Sequence, residues 1–390
     1  MSRRDDELEA VVGAVEDPVV FAPLGPLGLV RSVGRRRRGG VSVTLALPGD
    51  PYPSLEELRG RLAAALGVEP GAVELAVEAM DQDDEAALGQ RLLALAGPEV
   101  PTGQGAQGGP NPPTGGPPAG DGTSPNPFLA RKGATRVLAV ASGKGGVGKS
   151  SVTVNLAVAL ARRGHTVGLV DADIYGFSTP RMLGVDRPPL VLGRTLIPPV
   201  AHGVRVISMG FFVDEEQGVA WRGPMLHRAI EQFLTDVYWG TPDYLVVDMP
   251  PGTGDVALSL GTHLPTAEIY VVTTPQPAAQ RVAQRSAALG RQLRLPVRGV
   301  VENMSYFAAP DGARYEIFGA GGGAQLAEAL GVPLLGQIPL ELAVRQGADE
   351  GRPAVVAAPD GMVAAAFEEL ARAVEELGPA RVYRKELSVR

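Results

Sequence analysis

The sequence contains no cysteine in 390 residues. That excludes disulfides, thiolate nucleophiles and thiolate-held metals within the chain. Histidine is scarce as well: only His165, His202, His227 and His263 occur. None is spaced near another as metal ligands usually are, so each reads as a surface or hydrogen-bonded imidazole. No apolar run is long enough to cross a membrane. The start, Met1 to Asp6, lacks the apolar core of a signal peptide, so a cytoplasmic protein is expected. A positive balance is also missing: the formal net charge is -7, which argues against non-specific binding of nucleic acid. What is present, 45% hydrophobic and 20% charged residues, is ordinary for a soluble globular protein. The length calls for two folded units, or one large unit with an appendage.

Composition divides the chain into residues 1–80, 81–135 and 136–378, followed by a short tail, 379–390. In the first region Leu8, Val11, Val12 and Val15 recur at helical spacing behind the candidate caps Asp5 and Asp6. Val41, Val43, Leu45 and Leu47 alternate as in a half-buried strand, and Arg35–Arg38 reads as the tip of a hairpin with the Leu29–Val33 segment. Ser54 and Glu57 form a candidate capping box before Leu55, Leu58, Leu62 and Leu66. Val73, Leu75 and Val77 alternate again. The order α-β-β-α-β describes a small two-layer α+β domain. The second region begins with a short polar helix and becomes Gly/Pro-rich from Pro101 to Pro127, which reads as a flexible linker.

The third region alternates short apolar strands with helices. Val137–Ala141, Val167–Val170, Val204–Ile207, Tyr244–Val247, Ile269–Val272, Val297–Val301 and Leu334–Ile338 are the strand candidates. Such a pattern means an α/β fold, a mostly parallel sheet covered by helices on both faces. Its ligands sit beyond the C-terminal ends of the strands.

Gly143-Lys144-Gly145-Gly146-Val147-Gly148-Lys149-Ser150 follows the first of these strands and opens a helix that stops near Gly164. A P-loop requires that context; the plainer alternative is a Gly-rich turn before an ordinary helix. In a P-loop the backbone of residues 143–151, through Ser151, wraps the phosphates, with N–H groups and the helix N-terminus facing the anion. Lys149 then contacts the β- and γ-phosphates of ATP, and Ser150 ligates Mg²⁺. Asp248, at the end of the Tyr244–Val247 strand, is the candidate for holding Mg²⁺ through water. Gly252, in the loop that follows, is placed to offer its N–H to the γ-phosphate. Asp173 is the candidate for orienting or activating the attacking water. The alternative for these strand-end aspartates is capping of the next helix; for Asp171, support of the site and capping stay equally open.

The extra lysine, Lys144, makes the run resemble the P-loop of the ParA/MinD/nitrogenase-iron-protein group. The resemblance implies a homodimer in which Lys144 reaches the partner's nucleotide; a local salt bridge or solvent exposure is the alternative. Asp171-Ala172-Asp173-Ile174-Tyr175-Gly176, Trp221 to Met225, Asp248 to Asp255, Thr274-Pro275-Gln276 and Glu302 to Phe307 are similar to the Mrp/ApbC subfamily of iron–sulfur cluster carrier ATPases over nearly all of residues 136–375. Residues 8–79 resemble the SufT-like domain that precedes many of them. The resemblance implies ATPase activity, iron–sulfur assembly proteins or apoprotein clients as partners, and a role for Asn303 in reading adenine; a loop-capping amide is the alternative for Asn303.

Two departures stand out. The subfamily's cluster ligands are a Cys-x-x-Cys pair, and Ala309 stands where its first cysteine belongs, with the second deleted. The front domain also lacks the cysteine that its relatives carry near Pro48–Pro53. Because clusters are held mainly by thiolates, the family's iron–sulfur cluster has no ligands of its own in this chain, and Asp311 and Glu316 are poor replacements. Val282 occupies a position where relatives place an aspartate, on a helix bearing Gln280, Arg281, Gln284 and Arg285. Two further readings follow: a nucleotide-switched scaffold without a cluster, and a ParA/MinD-like positioning ATPase on DNA or membrane. Net acidity and a tail of mixed charge stand against the latter. The one strongly basic cluster, Arg35–Arg38, reads as a solvated turn, or as a contact for an acidic partner or RNA.

Overall fold

In the computed structural model, the described residues are 3–36, 40–48, 52, 54–95, 126, 128, 135–173, 176–212, 223–250, 255–276, 279–309 and 313–380. They divide into two compact units.

The smaller unit has the expected element order. A helix Arg3–Gly13 precedes strands β1 (Val30–Arg35) and β2 (Val41–Leu47), then a helix Leu55–Leu66 and strand β3 (Val73–Ala79). β2 is central, antiparallel to β1 and parallel to β3. Its alternation sends Val43, Leu45 and Leu47 into the core against Leu58 and Leu62. Two capping expectations fail. The first helix begins at Arg3, so Asp5 and Asp6 lie inside its first turn. Ser54 is left-handed, with φ 59°, and its side chain makes no cap; Glu57 pairs instead with Arg61 one turn on, at 2.8 Å.

This unit also draws in more chain than residues 1–80. The helix Gln82–Leu95, read from the sequence as the start of the linker, buries Leu88 and Leu92 in its core. Segments 189–198 and 236–240 belong to it too. The first is a hairpin, Leu190–Leu192 with Thr195–Ile197, whose Leu192 and Ile197 complete the same core together with Tyr238. A domain of about 80 residues buries a modest apolar area, so the added hairpin supplies surface that its own strands lack.

In the larger unit, β4 (Arg136–Ser142), β5 (Val167–Asp171), β6 (Val200–Ala201), β7 (Val204–Ser208), β8 (Tyr244–Asp248), β9 (Glu268–Thr273), β10 (Val297–Glu302) and β11 (Leu334–Gln337) form one sheet. The order is β11-β10-β9-β4-β8-β5-β7-β6, parallel throughout except for β6. From β4 the chain runs first to one side of the sheet and later to the other. That reversal makes the C-terminal end of β4 a topological switch point, where α/β folds place their ligands. The near-continuous burial of β4, β5, β8 and β9 shows why these strands read as uninterrupted apolar runs. The end of the expected linker is anchored here: Asn126 and Phe128 are buried, and Asn126 Nδ2 donates to the His263 carbonyl at 2.7 Å.

Candidate phosphate site

β4 ends at Ser142, and the loop Gly143–Gly148 feeds directly into the helix Lys149–Arg162. Gly146 and Gly148 have φ of 74° and 75°, a left-handed conformation that costs glycine nothing and an L side chain about 1 kcal/mol or more. An added Cβ would meet nothing within 4 Å at Gly145 or Gly146. The backbone there is open to close approach by a ligand, as a phosphate cradle demands. Val147, between the two left-handed glycines, is buried and joins the apolar core, which anchors the loop from behind.

Lys149 is the first residue of that helix, yet its side chain is only 8% exposed. Its ammonium lies 2.7 Å from Asp248 Oδ1 and 3.6 Å from Asp173 Oδ2. Ser150 Oγ donates to the other Asp248 oxygen at 2.6 Å. Asp248 is fully buried at the end of β8, where register sets it beside Val140 on one side and Asp171 on the other. Thr153 Oγ1, one helical turn beyond Lys149, donates to Asp248 Oδ1 at 2.8 Å. The structure thus brings Lys149, Ser150, Asp173 and Asp248 together. Thr153 was missed; its i+4 spacing from Lys149 was the available signal.

Asp171 resolves as a cap. Its carboxylate accepts the N–H groups of Asp173 at 3.1 Å and Thr179 at 3.3 Å, and the Ser208 hydroxyl at 3.1 Å. Burial, reinforced by the neighbouring Asp248 charge, pushes its pKa up to about 7. It holds the chain that carries Asp173.

Lys144 is half-buried, and its Nζ donates to Gln276 Oε1 at 2.7 Å. The helix Ala279–Leu293 braces the first residue of the loop. Val282 is buried against Gly143, where an added Cβ would lie 2.8 Å from Val282 Cγ1, and Arg285 donates to the Gly143 carbonyl at 3.0 Å. A hydrophobic contact therefore stands at Val282, beside the first glycine of the loop. Asn303 is buried and donates from Nδ2 to the Val147 carbonyl at 2.9 Å. Ser151 follows in the helix, where its carbonyl accepts Asn155 Nδ2 at 2.9 Å. Gly252 and Asp311 lie outside the described residues, as do Arg37 and Arg38 of the basic cluster. Ala309 closes a small hairpin, Phe307–Ala308 with Arg314–Tyr315, by donating its N–H to the Ala313 carbonyl at 2.9 Å.

The fold also revises one histidine reading. His227 and His263, 36 residues apart in sequence, have ring centroids 4.9 Å apart, and His227 Nδ1 lies 2.8 Å from Ser259 Oγ. Burial, then the neighbouring His227, holds the His263 pKa below the ordinary imidazole value. Even so, no group of three or more His, Cys, Asp or Glu able to hold a metal occurs among the described residues. No helix among them is long and apolar enough to cross a membrane.

A glycine loop at the switch point of a parallel sheet, opening a helix whose first lysine and serine meet a strand-end aspartate, defines a P-loop NTPase. The family model described as ParA, NUBPL iron-transfer P-loop NTPase, matches residues 133–375. The chain belongs to that family. It is 43% identical over 379 residues to an iron-sulfur cluster carrier protein of Mycobacterium leprae, covering 93% of this chain and 92% of that one. It is 40% identical over 347 residues to a protein of the same name from Bacillus subtilis, covering 87% and 88%. Among solved structures, a nucleotide-binding protein in complex with ADP from Archaeoglobus fulgidus aligns with a TM-score of 0.53 and 33% identity, over 60% of this chain and 93% of that chain.

Proposed function

We propose that the chain binds and hydrolyses ATP as a homodimer and serves iron–sulfur cluster assembly as a carrier-type ATPase, with the thiolate ligands of the cluster supplied by partner proteins. The observation that carries the ATPase reading is the buried Lys149 ammonium, 2.7 Å from Asp248, beside a Ser150 hydroxyl bonded to the same carboxylate. The carrier reading rests on the relatives of that name, which align with the chain over nearly its whole length.

The backbone amides of residues 143–151 cradle the phosphates, and Lys149 neutralises the β- and γ-oxygens. Ser150 and Asp248 offer hard oxygen donors, the kind that suits Mg²⁺. They would hold that ion, Asp248 through water, and the ion would add positive charge against the γ-phosphate. Asp173 orients the attacking water. As the water oxygen bonds to the γ-phosphorus, the bond to the ADP oxygen breaks, and ADP and phosphate leave. The chemistry gains from positioning and charge neutralisation. The N–H of Gly252 contributes on the γ-side. Lys144 completes the charge on the partner subunit's nucleotide, so pairing and ATP binding are coupled.

The cluster itself is cargo, and the chain does not fit it as a ligand: it has no cysteine, and clusters are held mainly by thiolates. The same absence favours a second reading, a nucleotide-switched scaffold with no cluster. A strain lacking the gene separates the two. Reduced activity of iron–sulfur enzymes supports the carrier reading, whereas normal activity supports the scaffold.

Mass determination by light scattering tests the ATP-coupled dimer. Addition of ATP and Mg²⁺ should double the mass of the wild-type chain. Lys144→Ala should retain nucleotide binding and stay at the monomer mass. A variant that pairs like the wild type removes the role given to Lys144.

A further inference from the structure

We infer that Asn303 is a positioning residue for the phosphate loop, acting on the triphosphate through the Val147 carbonyl. The inference rests on the ATP-binding reading above.

Three observations carry it. The first is the bond itself: Nδ2 of Asn303 donates to the Val147 carbonyl at 2.9 Å, joining residues 156 positions apart. Val147 lies between Gly146 and Gly148, both left-handed. In a loop that turns its N–H groups toward an anion, carbonyls point the opposite way and need donors behind the loop. A buried carbonyl left without a donor is destabilised enough to favour another loop conformation. Asn303 is that donor for Val147.

The second observation is space. An added Cβ on Gly148 would lie 2.3 Å from Asn303 Nδ2 and 3.5 Å from Met304 Cε. The amide therefore fills the room behind the loop, and Gly148 is required by this contact as well as by its φ.

The third is how firmly Asn303 is itself held. Its N–H donates to the Thr273 carbonyl of β9 at 2.8 Å. The next residue, Met304, has a φ of 54°, a left-handed strain for a side chain that persists only where its surroundings enforce it. Glu302, 1% exposed, does so from one side: its carboxylate accepts the Ser305 hydroxyl, the Gln337 amide at 2.8 Å and the Gly323 N–H at 2.6 Å. From the other side, the Ser305 N–H donates to the Ile338 carbonyl at 2.8 Å. A buried, triply bonded carboxylate and a strained backbone thus aim one amide at one carbonyl of the loop.

The test compares binding of ATP, GTP and inorganic tripolyphosphate, each with Mg²⁺, to the full-length chain and its variants. Leaving the buried Val147 carbonyl without its donor corresponds to about a five- to 150-fold loss of affinity. Asn303→Ala should weaken all three ligands, the base-free tripolyphosphate included, by a factor in that range. Asn303→Asp should weaken them further, since a carboxylate oxygen would face the carbonyl. Gln337→Ala probes the same contacts from an exposed position, and an equal loss of about twofold for all three ligands is expected. If tripolyphosphate binding stays intact while ATP weakens and its preference over GTP collapses, Asn303 is a base reader and the inference is overturned. Unchanged binding of all three ligands by the Asn303 variants overturns it as well. A wild-type chain that binds none of the three would instead refute the ATP-binding reading.

Discussion

The two units each bury a carboxylate, and they treat it differently. Asp17 in the small unit is fully buried, and its Oδ1 accepts the N–H groups of Val19 and Val20 at 2.8 and 3.0 Å and the Tyr52 hydroxyl at 2.7 Å. Two of those donors belong to its own turn. Asp248 in the large unit is just as buried, but its partners are a lysine and two hydroxyls from the helix after β4, about a hundred positions earlier in the chain. A carboxylate satisfied by its own turn fixes local structure. One satisfied by side chains from another element, at the open end of a sheet, has partners that a ligand can engage. Burial alone does not mark a functional acid.

Removing a partner tests that contrast, beginning with the largest expected effect. Lys149→Ala should lower ATP hydrolysis by at least about 100-fold, since it removes a preorganised charge from the phosphates. It also leaves Asp248 uncompensated, at about 3 kcal/mol or more in stability. A steady-state ATPase assay with a denaturant melt reads both, and unaltered hydrolysis overturns the site. Leu192→Ala should cost about 3 kcal/mol, because Leu192 sits in the small unit's core. The loss should appear in hydrogen exchange at β1–β3. If the hairpin at 190–197 were only a surface loop, exchange there would not change.

The smallest effect concerns Asp17, whose pKa burial raises above the ordinary carboxylate value, partly offset by the bonds from Val20, Tyr52 and Val19. A raised folded-state pKa means that the folded form binds its proton more readily than the unfolded form. The associated stability is fully present below the unfolded value and is lost as pH rises through the folded one. Asp17→Asn does not titrate. The stability of the wild type relative to Asp17→Asn should therefore be greater near pH 3 than near pH 7, while ATPase activity is the same in both. A difference that does not vary with pH would show that Asp17 is not protonated on folding in that window.

The legible parts of this protein were those written in contiguous residues. Gly143 to Ser150 carries its own conformational requirement, and the apolar strands before it and at Tyr244–Val247 placed Lys149, Ser150 and Asp248 at strand or helix ends. The expected strands recur within a residue or two. Ser54 was misread because a capping box presumes an extended Ser, and here the backbone is left-handed. The helix Gln82–Leu95 was assigned to the linker because two apolar positions on a polar helix do not reveal which core receives them.

By itself, then, the amino-acid order determined the class of fold, the phosphate loop and the absence of thiolates, since periodicity, glycine freedom and composition are local properties. The tertiary structure alone decided that Val282 and Arg285 brace Gly143, that Ser208 and Thr179 turn Asp171 into a cap, and that Asn303 bonds to Val147. It also decided that a hairpin from mid-sequence fills the small unit's core. Each of these joins segments far apart in the chain, and their meeting depends on strand order and register, which no local pattern encodes.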